Sequence, residues 1–119
     1  MKYLMLIKHS ESFRSEPMPP AFMDVVGGWV TESMKNGTII ETAGLKPTSE
    51  GVRIRTRGGK LHVTDGPFTE AKEIIGGYAM IEAASKDEAV AFATRFMDMH
   101  REHWPAFEGE SEVRELENQ

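Results

Sequence analysis

A chain of 119 residues has the length of one domain, residues 1–119, with a modest core that an oligomer would enlarge. Its 14 basic residues stand against 19 acidic ones, a formal net charge of −5, which argues against generic nucleic-acid binding. Cysteine is absent, which excludes disulfide and thiol chemistry.

The first element in chain order is a strand over Lys2–Lys8, with the apolar run Tyr3-Leu4-Met5-Leu6-Ile7. Both of its faces are apolar, so it is expected at the centre of a sheet. That run is too short for a signal peptide and lacks a cleavage site, and no segment approaches a membrane span; a cytoplasmic protein with no membrane partner is expected. Residues His9–Pro20 read as a loop, with Pro20 suited to a first helical turn.

From Ala21 to Asn36 the apolar period changes to that of an amphipathic helix, carried by Phe22, Val25, Val26, Trp29, Val30 and Met34. Gly27-Gly28 weakens that helix and suggests close packing on the sheet. Asn36-Gly37 stops it, and Thr38–Thr42 reads as the second strand. Strict alternation over Val52-Arg53-Ile54-Arg55-Thr56-Arg57, the pair Gly58-Gly59 and the return Lys60–Thr64 predict a hairpin. Its two-residue turn pairs Arg57 with Lys60, Arg55 with His62 and Arg53 with Thr64. These cations then share one face, with Val52, Ile54, Leu61 and Val63 on the other.

After the hairpin comes Asp65-Gly66-Pro67-Phe68-Thr69-Glu70-Ala71-Lys72-Glu73. Pro67 has a fixed φ and no N–H, and Gly66 before it is pushed away from the α region, so the chain must turn. Asp65 suits the start of such a turn, and Thr69 is placed to cap a single helical turn through Lys72 and Glu73. Ile75–Ala83 predicts a second central strand, and Ser85 with Glu88 a capping box. The helix that follows turns Ala89, Val90, Ala93, Phe96 and Met97 inward and ends near His100–His103, before Pro105. A short strand over Glu112–Leu116 closes the chain.

The run DGPFTEAKE, with GGYAMIEA after it, MKYLMLIKHSE at the start and EVREL at the end, resembles the YCII-related or DGPF-domain proteins over nearly the whole chain. The resemblance implies a ferredoxin-like α+β subunit, βαββαβ with an inserted β-hairpin, pairing as a dimeric α/β barrel. It also implies neighbours: some members are encoded beside extracytoplasmic-function sigma factors, which makes such a factor an expected partner. A few relatives carry out dehydrochlorination or lactone chemistry on small ring compounds. A homodimer is expected from the residues too, because both helices cover one sheet face and two central strands are apolar on both.

The candidate chemistry is sparse. His9 and Asp65 are the acid–base candidates, with Glu11 near enough in sequence to orient the imidazole. Their ordinary alternatives are a strand-end histidine and a turn aspartate. Arg53, Arg55 and His62 on the ribbon, with Phe68 and Lys72 of the motif, are candidate contacts for a small anionic ligand; the alternatives are a charged ribbon that resists edge pairing and, for Phe68, a core plug. His100 and His103 share a helix face, but no third ligand stands at a convincing spacing, so no metal is expected. Trp104 reads as a packing residue at a subunit edge. The glycine pairs lack the spacing of a phosphate fingerprint, so no cofactor is expected. Two functions fit: a homodimeric ligand- or partner-binding regulatory module, and a small lyase- or isomerase-like enzyme acting by acid–base chemistry on a cyclic acidic metabolite.

Overall fold

The computed structural model describes residues 1–119, except for the side chains of Arg14 and Ser15. Strand β1 (Lys2–His9) pairs antiparallel with β5 (Ile74–Glu82) on one side and β6 (Gly109–Glu115) on the other. Strand β2 (Ile39–Gly44) pairs with the outer side of β5, giving the order β2-β5-β1-β6. Helices α1 (Pro20–Lys35) and α2 (Lys86–His103) cover one face. This is a ferredoxin-like α+β arrangement, and the two strands with two-sided apolar runs are the two central ones. Strands β3 (Val52–Arg57) and β4 (Lys60–Asp65) form a separate two-stranded ribbon inserted between β2 and β5.

The side-chain period of two explains the layers. Tyr3 and Met5 of β1 and Ala79 and Ile81 of β5 face the helices and are buried with Ile39 of β2. Small residues let α2 approach this face: Ala89 and Ala93 are buried in the same cluster. Trp29 of α1 stacks on Phe92 and Phe96 of α2, with ring centroids 4.4 and 5.7 Å apart. On the opposite face Leu4 pairs with Met80 and Leu6 with Tyr78, all four half-buried with no helix over them.

The helix ends follow local chemistry. Ser85 Oγ accepts from the Glu88 N–H at 3.1 Å, and Asp87, Glu88 and the basic last turn of α2 complement the dipole. Helix α1 begins on Pro20 and stops where Gly37 takes φ 84°. In the ribbon, Gly58 and Gly59 both have positive φ, 58° and 76°, as the tight hairpin turn requires. The ribbon register is the expected one, Arg53 opposite Thr64, Arg55 opposite His62 and Arg57 opposite Lys60.

Several expectations are corrected. No helix forms over Thr69–Glu73; a single Ala71 N–H to Phe68 O bond at 3.1 Å closes one turn, and the chain then extends into β5. Gly27 and Gly28 do not serve close packing, because a Cβ on either would meet nothing within 4 Å. On α2, Val90 points outward while Met99 and His100 are buried. Trp104 belongs to the subunit's own interior, buried against the rings of Phe22 and Phe107 at 5.3 and 5.2 Å. The last strand starts at Gly109, three residues before its expected start at Glu112.

Candidate functional site

Between α1 and the sheet lies a cavity of about 570 Å³. Gly44 of β2 and Gly27 of α1 leave open space along it, and Gly76 and Gly77 of β5 also line it. Around these gaps the walls are apolar, with Met5, Ile7, Val26, Trp29 and Phe96. Thr42 also lines the cavity, but its hydroxyl already donates to Tyr78 O at 2.8 Å. Glu16 is exposed at the rim. Among the described residues the buried titratable side chains there are two imidazoles, His9 and His100, and the lining also includes the indoles of Trp29 and Trp104.

The two rings are held alike. His9 Nδ1 lies 2.8 Å from the carbonyl oxygen of Ser10, and His100 Nδ1 lies 2.9 Å from that of Phe96. A carbonyl only accepts, so each Nδ1 carries the proton, and in a neutral ring each Nε2 keeps its lone pair. His100 is packed among Phe22, Phe96 and Phe107, at centroid distances of 4.5, 4.7 and 4.5 Å. Burial lowers its pKa below the ordinary value, the Phe96 carbonyl opposes this, and the neighbouring charge of His9 adds to the lowering. His100 is therefore a neutral hydrogen-bond acceptor near neutral pH.

His9 sits at the end of β1, where the β1–β5 register shifts between Ile7 and Lys8. Its Nε2 occupies the space beside Gly76: a Cβ on residue 76 would fall 2.0 Å from it. Phe107 meets the ring edge-on, 6.0 Å away. Glu11 does not orient this histidine. Its Oε1 accepts instead from the N–H and the hydroxyl of Thr48.

Thr48 explains the motif turn. The Phe68 N–H donates to Thr48 Oγ1 at 3.2 Å, and the Gly66 N–H to Gly51 O at 2.9 Å. Gly66 and Pro67 are joined by a cis peptide bond. A Cβ on Gly66 would lie 1.6 Å from the Thr48 carbonyl oxygen, so only glycine fits. Glu11, Thr48 and Phe68 thus tie the loop after β1, the loop before β3 and the motif together. The motif anchors the base of the ribbon. Phe68 is half-buried, with the Arg53 guanidinium 3.9 Å above its ring.

The other expected site residues are spread out. Asp65 ends β4, opposite Val52, exposed and with no side-chain hydrogen bond among the described residues; nothing joins it to His9. Lys72 is exposed, with no ion pair among the described residues. Arg53, Arg55 and His62 do come together, lining a concavity on the ribbon with Arg57, Thr64 and Glu70. His100 and His103 part company: His103 is half-exposed, 3.7 Å from a Glu102 carboxylate oxygen. The helix period does signal His100 as an inward residue, because Ala93, Phe96 and His100 at i, i+3 and i+7 form one stripe. Gly76 carried no signal for its role, because a missing side chain matters only through what fills its place.

No helix among the described residues is long and apolar enough to cross a membrane. The family model for the YCII-related domain matches residues 1–97. An uncharacterized protein of Rhizobium meliloti (strain 1021) is 42% identical over 57 residues, 48% of this chain and 46% of that protein. The matched stretch therefore spans about half the length of that relative.

Proposed function

The chain belongs to the YCII-related domain family, and from that premise we propose that it binds a small ring compound in the cavity under α1. The observation that carries this reading is the pair of buried imidazoles, His9 and His100, each held through Nδ1 on a backbone carbonyl, in largely apolar walls. Apolar area supplies affinity, and a few placed polar groups fix orientation. A neutral His100 whose Nδ1 donates to a carbonyl offers its Nε2 as an acceptor, which calls for a ligand that donates, such as a ring bearing hydroxyls. The cavity volume of about 570 Å³ suits a molecule of that size.

A second reading is supported by the same two imidazoles. A buried imidazole with a bare Nε2 is a proton acceptor, so His9 or His100 suits proton abstraction from a bound weak acid, in a lyase- or isomerase-like step. Asp65 has no part in it.

The open sheet face, with Leu4, Leu6, Tyr78 and Met80, supports a homodimer closed face to face. A thermal-shift screen of hydroxylated ring compounds tests the binding reading, run on the native chain beside Gly27→Leu. Gly27 lines the cavity, and a Cβ there meets nothing within 4 Å, so a larger side chain starts in open space. Stabilisation of the native chain that is absent in Gly27→Leu supports the reading; equal stabilisation of both overturns it. Incubating a hit with the protein and following its absorbance then separates binding from turnover.

A further inference from the structure

We propose that the cationic face of the β3–β4 ribbon is a second site, separate from the cavity, for a small polyanion with at least two carboxylate or phosphate groups. Arg53, Arg55, Arg57, His62, Thr64 and Glu70 line a concavity of about 330 Å³ there, at the lower end of the range for small-ligand sites. The register sets Arg55 directly against His62 and Arg57 against Lys60. Cations placed opposite each other across a ribbon repel when both are charged, and an anion between them removes that repulsion.

One wall is already rigid. Arg53 is pinned over the Phe68 ring and ion-paired with Glu70, and Phe68 is held by Thr48 through its backbone. An arginine fixed in this way loses little freedom on binding, and its planar fork suits carboxylate and phosphate oxygens. Arg55 and Arg57 make no ion pair among the described residues. Three guanidinium charges therefore face one carboxylate, Glu70, which leaves two uncompensated. The ligand's charge follows from that difference.

Glu70 shows the face acting on a carboxylate. Its pKa is held below the ordinary value, first by a backbone hydrogen bond and then by Arg53, with the charge of Arg55 adding to the effect. The concentration of cations is also local, on a chain whose formal net charge is −5. A macromolecular polyanion would seek a wider basic surface than this one ribbon offers.

The probes are inorganic pyrophosphate and citrate, titrated calorimetrically at about 20 mM and 150 mM salt, concentrations that bracket strong and ordinary screening. Expected is one saturable site per chain for at least one probe. It weakens by about tenfold or more in Arg55→Glu, as loss of a charge-assisted contact requires, and stays unchanged in Lys35→Glu, a reversal elsewhere on the surface. Saturation by pyrophosphate alone identifies phosphate as the preferred chemistry, and saturation by citrate alone identifies carboxylate. His9→Ala leaves this binding intact, so failure of the cavity reading is distinguishable from failure here. No saturable binding of either probe at the lower salt overturns the proposal, as does equal weakening in Arg55→Glu and Lys35→Glu.

Discussion

His9 and Gly76 share one volume: a Cβ on residue 76 would lie 2.0 Å from His9 Nε2 and 2.7 Å from its Cδ2. The imidazole reaches the cavity only because its neighbour on β5 has no side chain. Gly76→Ala must push the ring away or move the strand, and overpacking of this kind costs about 1–3 kcal/mol. Ligand binding falls with it. Adding His9→Ala relieves the clash, so the double variant recovers stability by urea denaturation, and the two changes are not additive. Additive losses would mean that the two residues do not contend for this space.

A second prediction separates the turn's glycine from its aspartate. Gly66→Ala places a Cβ 1.6 Å from a backbone oxygen, which no side-chain adjustment relieves, and about 3 kcal/mol or more is expected to be lost. Asp65→Asn keeps the side chain's size and turn preference, and an exposed carboxylate without a partner among the described residues contributes little. Urea midpoints should show a loss below about 1 kcal/mol for Asp65→Asn, with ligand binding retained. Loss of binding or turnover in a stable Asp65→Asn chain would return Asp65 to the chemistry.

Stability should fall with acid through His100. Its folded pKa lies below the ordinary 6.5, so between those two values the unfolded chain holds a proton that the native chain does not. Stability is then fully present above about pH 6.5 and is lost as pH falls toward the folded value. Urea midpoints at about pH 7.5 and 5.5 measure this, bracketing the ordinary histidine value. His100→Phe should show a smaller drop across that interval. An identical drop in both would place the acid sensitivity elsewhere.

The assembly prediction concerns the face without helices. Leu4, Leu6, Tyr78 and Met80 form its centre, and sedimentation at micromolar concentration should give twice the chain mass of 13.3 kDa. Leu6→Glu, placing a charge at the centre of that face, should give a folded chain of single mass. A well-folded native monomer would contradict the expectation.

Much of the fold was legible because it rests on local rules. The two-sided apolar runs at Tyr3–Ile7 and Tyr78–Ile81 marked the central strands. Gly58-Gly59 set the ribbon register, and Ser85 marked the start of α2. Thr69 misled, because a good capping residue counts for little when the next residues form only one bonded turn before β5. The cavity was not legible. It depends on Gly27 and Gly44 leaving space from separate elements, on Gly76 making room for His9, and on His100 turning inward. The role of Gly66 was equally hidden, since its constraint comes from Thr48 in another loop.

The most direct test of the cavity reading is the ¹⁵N imidazole spectrum during titration with 4-nitrophenol, a hydroxylated ring compound. Of the chain's four histidines, His9 and His100 line the cavity, and His62 and His103 lie outside it. Saturable binding should move the Nε2 resonances of His9 and His100 toward hydrogen-bonded values and leave those of His62 and His103 in place. Saturation with no movement at His9 and His100, or with movement confined to His62 or His103, would contradict the account.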